Sequence, residues 1–198
     1  GKNLKTFVSG GAALDPKIAD FFLKMNCQIL QGYGQTEASP LISCNTVLMN
    51  KTSTVGMPVK NVKVKIADDQ EILVKGKNVM YGYWNNLKLT QKTIIRGWLH
   101  TGDLGYMDEK NRIVITGRKK DLIVTSGGEN ISSQKIENLL IRNKEIIQAV
   151  VFGDRRPYLV ALIIPEKKVG YQKISKLVKE ANLHLNAHER IRKFLLIK

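Results

Sequence analysis

One short stretch of this sequence carries side chains suited to holding a phosphorylated nucleotide. The residues from Gly32 to Ser39 read GYGQTEAS, in which Tyr33 offers a flat aromatic face, Thr36 a hydroxyl and Glu37 a hard oxygen ligand. The glycines permit close backbone approach and positive φ. These groups would stack a base, bond a phosphate and hold Mg²⁺, but they would equally suit an ordinary turn. The stretch alone does not decide between the two.

The elements around this stretch predict an α/β arrangement. LKTFVSG at 4–10 predicts a short strand, Asp15-Pro16 predicts the start of a helix, and NCQILQGYG at 26–34 predicts a second strand. The order strand, glycine turn, helix and strand places loops at strand ends, where a ligand can bind. Helical spacing predicts that one face of the helix is buried through Ile18, Phe21, Phe22 and Met25.

The pattern changes near Val55 and again after Asp121. Alternating runs at 62–67 and 71–76, an aromatic run at 79–84 and another short strand at 112–117 predict a small β-barrel-like subdomain or a distorted sheet. From 122 onward, the sequence predicts a compact α+β lid domain, with a helix capped by Ser132 or Ser133. Two apolar strands at 146–153 and 158–165, a helix near 173–191 and a last strand KFLLIK follow. The expected domains are an α/β subdomain at 1–54, a β-rich subdomain at 55–117, a hinge at 118–121 and the lid at 122–198.

Composition narrows the class of protein. The net charge is +15, but the 32 Lys and Arg residues are scattered along the chain, so a solvated surface is favoured over a dedicated nucleic-acid site. Only two cysteines occur, and neither lies in a CxxC pattern, which favours a reducing, cytoplasmic setting without structural zinc. No apolar run approaches the length of a membrane span. A peripheral contact with the inner face of the membrane stays open.

Three segments, the first of which overlaps the stretch at 32–39, together resemble the motifs of a known protein family. QGYGQTE at 31–37, GWLHTGDLGYMDE at 97–109 and GRKKDLIVTSGGENISSQKIE at 117–137 occur in this order, with SGGAAL at 9–14 and VKGKNVMYGYW at 74–84 between or before them. Together they resemble the adenylate-forming, or AMP-binding, superfamily. The wording of the C-terminal part is most similar to the long-chain fatty-acid–CoA ligases. The resemblance implies ATP and Mg²⁺ as cofactors, and fatty acid and coenzyme A as substrates.

The resemblance also implies roles for individual residues. Thr36 would bond the α-phosphate, Glu37 would bind Mg²⁺, Tyr33 would stack on adenine, and Asp103 would accept hydrogen bonds from the ribose hydroxyls. The nucleotide-binding set is completed by Gly10, Gly11, Ala12, Gln31, Gly32, Gly34 and Arg118. The residues alone leave simpler roles open: a core tyrosine at 33, a carboxylate beside a helix start at 37, and an Asx turn at 103.

In the C-terminal part, the resemblance places a hinge at Lys120, about which a lid rotates between adenylation and thioester formation. Gly127 and Gly128 would let the pantetheine arm of coenzyme A pass close to the backbone. A plain β-turn is the alternative for this Gly-Gly pair. His100 is expected to be structural, and His184 and His188 are expected to lie on the helix surface.

Two parts of the family pattern are not found in these 198 residues. One is the Ser/Thr/Gly-rich phosphate loop, and the other is the Thr/Pro-containing segment with the catalytic lysine. We therefore expect the chain to be the C-terminal part of a ligase, inactive by itself, with a complementing N-terminal polypeptide as one candidate partner. Another acyl-activating ligase of the superfamily, or a non-catalytic basic module for nucleic acid or anionic lipid, are the alternatives.

Overall fold

A computed structural model describes residues 6–12, 14 and 16–197 of the chain. These residues divide into two compact units, Gly1–Thr116 and Gly117–Lys198. Each unit has its own core and combines strands with helices, which confirms the expected mixture of α/β and α+β structure. Among the described residues, no helix is both long and apolar enough to cross a bilayer.

The first unit begins with a four-stranded sheet and one helix. Its elements are β1 (Thr6–Ser9), α1 (Pro16–Lys24), β2 (Gln28–Gly34), β3 (Leu41–Cys44) and β4 (Met57–Pro58). The strand order is β1-β2-β3-β4, in which β1 and β2 are parallel and the remaining pairs antiparallel. The parallel pair joined by α1 confirms the predicted strand–helix–strand order. The predicted cap Asp15 lies outside the described residues.

The predicted buried face of α1 is wrong in most of its members. Ile18, Phe21 and Met25 are about half exposed, whereas Ala19 is fully buried. The helix contacts β2, and the ring of Phe22 meets that of Phe7 edge-on at 6.0 Å between centroids. Spacing identified an apolar face correctly, but burial also needs a packing partner, and the described residues cover only one side of this helix.

A five-stranded sheet fills the rest of the first unit. Its elements are β5 (Lys63–Ile66), β6 (Glu71–Lys75), α2 (Leu87–Thr93), β7 (Ile94–Ile95), β8 (Trp98–Met107) and β9 (Ile113–Arg118). The strand order is β5-β6-β8-β7, and β9 also pairs with β8. The expected barrel-like closure is wrong: within the fully described span 55–117, β5 at one edge pairs with neither β7 nor β9 at the other, so the sheet is open.

The two sheets of the first unit share one core. Tyr33, Ala38 and Ile42 from the first sheet region pack in the same cluster as Ile72, Val74, Leu99 and Ile113 from the second. The predicted boundary at 54/55 therefore crosses a region held together by a common apolar cluster. This common packing gives residues of 1–54 and 55–117 fixed positions relative to one another, which is what a site built from both segments requires.

The second unit packs two helices against a three-stranded sheet. Its elements are β10 (Leu122–Val124), β11 (Asn130–Ser132), α3 (Ser133–Ile141), β12 (Ile146–Phe152), β13 (Leu159–Pro165), α4 (Tyr171–Leu183) and β14 (Ile191–Leu196). Strands β12 and β13 are antiparallel, β13 and β14 parallel, and β10 pairs with β11. The Ser132 hydroxyl accepts a hydrogen bond from the Lys135 N–H, which confirms Ser132 as the cap of α3.

Helix α4 is shorter than the 173–191 span that periodicity predicts. It ends at Leu183, and a separate turn begins at Asn186, where Asn186 and Glu189 form a capping box. The Lys135 ammonium lies 2.6 Å from a Glu189 carboxylate oxygen. Burial alone would raise the pKa of Glu189, but this hydrogen bond and one from the Asn186 N–H outweigh it and lower the pKa.

Candidate functional site

The first unit brings together two of the predicted site residues that lie 70 positions apart. The Tyr33 hydroxyl donates a hydrogen bond to Asp103 Oδ2 at 2.7 Å. Tyr33 is 7% exposed and Asp103 is 5% exposed. Tyr33 is positioned by β2 and Asp103 by the middle of β8, so the contact connects the two sheets of this unit. A buried carboxylate beside a tyrosine provides acceptors for hydroxyl donors that approach it.

A buried acid that sequence reasoning missed holds the backbone next to Asp103. Glu71 Oε1 accepts a hydrogen bond from the Gly102 N–H at 2.9 Å, and Oε2 lies 2.9 Å from His100 Nδ1. Gly102 has φ +72°, a conformation suited to glycine. The Thr101 hydroxyl donates to the Ile72 carbonyl and accepts from the Asp103 N–H. His100 is therefore structural, as expected, and Glu71 could have been found only through its cross-strand register with β8.

Thr36 and Glu37 lie in a tight turn that follows β2. The Gln35 N–H bonds the Pro40 carbonyl at 2.8 Å, which closes the turn. A side chain at Gly34 would overlap the Pro40 backbone, so glycine is required at that position. Thr36 is exposed and Glu37 is half-buried. The turn thus presents a hydroxyl to solvent next to a partly shielded carboxylate.

The Glu37 carboxylate is held by Tyr83, a residue that sequence reasoning did not assign to the site. The Tyr83 hydroxyl donates to Glu37 Oε1 at 2.8 Å, and the Met80 N–H donates to the Glu37 carbonyl at 2.9 Å. Burial, followed by the hydrogen bond and charge of Glu37, raises the pKa of the Tyr83 hydroxyl above its ordinary value. Tyr83 therefore stays a neutral donor at physiological pH and fixes one carboxylate oxygen of Glu37.

The remaining predicted residues of the first unit lie on β2 or in the loop that follows β1. Gly10 is close to Gly32, since a Cβ at Gly10 would lie 3.4 Å from the Gly32 carbonyl oxygen. Gly11 has φ +85°, and Gly11 and Ala12 are exposed. Gln31 is buried; its amide donates to the Thr52 carbonyl and accepts from the Leu14 N–H. The side chain of Gln31 thus ties together loops around the site.

The other predicted residues lie in the second unit. Arg118 is the last residue of β9 and is exposed, and Lys120 is exposed in the turn Lys119–Asp121. Gly127 and Gly128 are exposed in the turn between β10 and β11, where Gly128 has φ +81° and its N–H bonds the Thr125 carbonyl. A site shared by Asp103 and Arg118 stays a prediction.

The glycine turn lies next to an open cavity of about 550 Å³ within the second unit. Its lining includes Ile123, Phe152, Arg156 and Tyr158. The Ser126 N–H donates to the Arg156 carbonyl at 3.1 Å, which connects the loop before Gly127 to the cavity wall. The cavity offers a mostly apolar surface whose lining also includes one cationic side chain, Arg156, and one acidic side chain, Asp154.

The acid groups do not build a metal site by themselves. Among the described residues, no group of three or more His, Cys, Asp or Glu side chains could hold a metal ion. Mg²⁺ bound to nucleotides commonly uses one or two carboxylates and takes its other ligands from phosphates and water. A single half-buried carboxylate at Glu37, beside the exposed Thr36 hydroxyl, fits that mode.

Two family models match the chain. The AMP-binding enzyme model matches residues 1–84, and the AMP-binding enzyme C-terminal domain model matches residues 120–198. The chain belongs to the AMP-binding enzyme family. The long-chain-fatty-acid–CoA ligase FadD15 of Mycobacterium bovis is 38% identical over all of this chain and 37% of its own length. The long-chain-fatty-acid–[acyl-carrier-protein] ligase AEE15 of Arabidopsis thaliana is 32% identical over 96% of this chain and 29% of its own length.

Solved structures of AMP-binding enzymes have the same fold. O-succinylbenzoate coenzyme A synthetase from Bacillus subtilis, in complex with AMP, superposes with a TM-score of 0.84 at 28% identity, over 100% of this chain and 43% of that one. The same enzyme with its acyl-adenylate intermediate gives a TM-score of 0.85 at 27% identity, over 98% of this chain and 42% of that one. This chain thus spans less than half the length of each of these relatives.

Proposed function

We propose that this chain is the C-terminal part of an ATP-dependent long-chain fatty-acid–CoA ligase. In the first step, a fatty-acid carboxylate attacks the α-phosphorus of ATP, and pyrophosphate leaves to give an acyl-adenylate. In the second step, the thiol of coenzyme A attacks the acyl carbon, the proton of the thiol is lost, and AMP leaves. Adenylation supplies the leaving group that a free carboxylate lacks, and binding supplies proximity.

The contact between Tyr33 and Asp103 is the observation that supports this function best. It joins a residue of GYGQTE to a residue of HTGD in one buried place, although the two motifs are 70 positions apart. Asp103 would accept hydrogen bonds from the ribose hydroxyls, and Glu71 would position it through the Gly102 N–H. Stacking of adenine near Tyr33 is part of the proposal, with Gly10–Ala12 beside it.

Thr36 and Glu37 would act on the phosphate side of the nucleotide. The exposed hydroxyl of Thr36 can donate to an α-phosphate oxygen, and Glu37 can bind Mg²⁺ through the oxygen that Tyr83 leaves available. Bound Mg²⁺ would neutralise charge on the phosphates. Tyr83 would hold the carboxylate in place, since its hydroxyl remains protonated.

The second unit would serve the thioester step. Coenzyme A would pass its pantetheine arm along Gly127 and Gly128, beside the cavity that Arg156 and Tyr158 line. Lys120 would act as the hinge, because it is an exposed residue in a short turn between two strands. A Lys120→Pro variant tests this hinge, because proline fixes φ at residue 120. The distribution of interatomic distances from small-angle X-ray scattering should become narrower in the variant. An unchanged distribution would argue against the hinge.

Nucleotide titrations of the 198-residue chain test the proposal. Asp103→Asn should weaken AMP binding about tenfold or more, because a hydrogen bond to a charged acceptor is lost. The same substitution should leave the weaker binding of 2′,3′-dideoxy-AMP unchanged, since that ligand lacks the hydroxyls. Asp68→Asn, an exposed acid in the turn before β6, is the matched control and should behave as the parent. Equal effects of Asp103→Asn on both ligands would contradict the assignment.

A carrier protein is the second candidate acceptor for the acyl group. The similarity to AEE15, whose name gives acyl-carrier protein as acceptor, is the observation that favours it. Carrier proteins present a phosphopantetheine arm of the same chemistry as that of coenzyme A, so the Gly127–Gly128 turn suits both. Binding of free coenzyme A, compared with binding of a phosphopantetheine-bearing carrier protein, distinguishes them.

A further inference from the structure

The loop before α2 and α2 itself expose large apolar side chains on a defined backbone. Tyr81 is fully exposed, Trp84 is 91% exposed, and Leu87 is 70% exposed. None of the three is needed for the nucleotide site. We infer that the surface of residues 75–96, here called the cationic aromatic segment, docks onto an anionic phospholipid bilayer.

Hydrogen bonds fix the backbone that presents these exposed side chains. The Tyr83 N–H donates to the Thr90 hydroxyl at 2.9 Å, which fixes the loop against α2. The Asn86 side chain caps the helix by accepting from the Leu89 N–H at 3.0 Å. Between Tyr81 and Trp84, Tyr83 turns inward to bond Glu37. The loop therefore turns Tyr83, which is half-buried, toward Glu37 and presents Tyr81 and Trp84 to solvent.

The charge of this region has one sign. No Asp or Glu occurs between Glu71 and Asp103, a span of 31 residues. The same span contains five basic residues, all of them exposed: Lys75, Lys77, Lys88, Lys92 and Arg96. Residues 38–67 also lack acids and contain four exposed lysines, but only the span 72–102 combines its exposed cations with exposed Tyr and Trp side chains. Positive potential is therefore concentrated around these aromatic residues.

This combination fits a lipid surface better than a protein partner. Trp and Tyr settle at the boundary between headgroups and acyl chains, because one part of each side chain is apolar and the other polar. Each lysine near an anionic leaflet strengthens binding about fivefold. Lysine is depleted in protein–protein interfaces, whereas four of the five cations here are lysines. An anionic bilayer therefore satisfies the aromatic and the cationic features together.

The role of membrane docking rests on the proposed function, because long-chain fatty acids, the proposed substrates, partition into bilayers. A docked first unit would hold the adenylation site near the membrane that contains its substrate. Vesicle binding itself requires neither nucleotide nor turnover, so the two proposals can fail separately. If the chain binds AMP through Asp103 but does not bind vesicles, only the docking surface is refuted. If it binds vesicles but does not bind AMP through Asp103, only the proposed function is refuted.

Tryptophan fluorescence of the 198-residue chain tests the surface directly. The chain has two tryptophans, Trp84 and Trp98, so a Trp98→Phe background leaves Trp84 as the sole reporter. Vesicles with about 30% anionic phospholipid should shift the Trp84 emission to the blue, and zwitterionic vesicles should not. No shift with anionic vesicles, or the same shift with both kinds, would overturn the inference.

Charge-reversal variants separate this surface from the general positive charge. Lys88→Glu/Lys92→Glu should reduce partitioning onto anionic vesicles by about tenfold or more, and Trp84→Ala should reduce it severalfold. Lys167→Glu/Lys168→Glu changes two exposed lysines of the second unit and gives the same net charge, and it should retain binding within about twofold. Leu48→Ala, at an exposed apolar residue outside the segment, should be neutral. Equal losses in both charge pairs would refute a localised surface.

Discussion

At the scale of residues, the site depends on acids whose positions are set by other side chains. Asp103 is held by the Tyr33 hydroxyl and by the backbone of β8 that Glu71 and Thr101 stabilise. Glu37 is held by Tyr83. In each case one carboxylate oxygen has a tyrosine donor, which orients the group before a ligand arrives. Such preorganisation reduces the reorganisation needed on binding.

Tyr33→Phe tests this arrangement through stability. The substitution keeps the ring but removes the donor to a buried carboxylate, so it should lower the free energy of unfolding by about 1–3 kcal/mol. Urea unfolding at neutral pH measures the change. Tyr106→Phe, at a half-exposed tyrosine on the same strand as Asp103, should change stability by less than about 0.5 kcal/mol. Indistinguishable midpoints for Tyr33→Phe and the parent chain would show that the hydrogen bond adds nothing.

At the scale of elements, turns do most of the positioning. The turn after β2 presents Thr36 and Glu37, the Thr101–Gly102 bend within β8 presents Asp103, and the β10–β11 turn presents Gly127 and Gly128. A positive φ occurs at Gly128 in the last of these turns and at Gly102 within β8, where the pairing with β6 is irregular. Strands supply the fixed ends between which such turns keep their shape.

Gly128→Ala is the prediction that belongs to this scale. Alanine at φ +81° is strained by roughly 1–2 kcal/mol, so the turn should shift and coenzyme A should bind severalfold more weakly. The measurement is a coenzyme A titration followed by the amide signals of the turn. Gly170→Ala serves as the control, since Gly170 has φ −86° and no atom lies within 4 Å of an added Cβ. Parent-like coenzyme A affinity in Gly128→Ala would count against a pantetheine path at this turn.

At the scale of the molecule, the two units have separate cores and separate proposed tasks. The first unit contains the Tyr33–Asp103 contact, Thr36 and Glu37, together with the cationic aromatic segment. The second contains the glycine turn and its cavity. Separate cores would let each unit keep its own geometry if the proposed hinge at 118–121 changed conformation.

The 198-residue chain alone should bind AMP and fail to exchange pyrophosphate into ATP. The residues proposed to contact the base, the ribose and Mg²⁺ are present, but these 198 residues include neither the phosphate loop nor the catalytic lysine segment of the family pattern. Loss of one such charged contact in the transition state typically lowers the rate by roughly 10²–10³. Radiolabelled pyrophosphate exchange measures this. Appreciable exchange that depends on Asp103 would contradict the expectation, because it would show that these residues suffice.

Several features followed from the sequence alone. The ordered motifs from SGGAAL to the SGGEN turn predicted the family, and apolar periodicity predicted β1, α1, β2, α3, β12 and β13 close to their observed bounds. These features are local: a strand, a cap or a motif depends on residues near one another in the chain. Family membership depends on the order of such local signals and needs no knowledge of their contacts.

Only the tertiary structure determined which distant side chains contact one another and which are buried. The fold brings Tyr33 into hydrogen-bonding distance of Asp103. It also brings the Glu71 carboxylate to the Gly102 N–H, and the Tyr83 hydroxyl to the Glu37 carboxylate. It left Phe21 exposed on a helix face predicted to be buried, and it left the sheet of residues 63–118 open. Periodicity records that a side chain is apolar or polar, whereas burial and hydrogen bonding depend on which distant element packs against it.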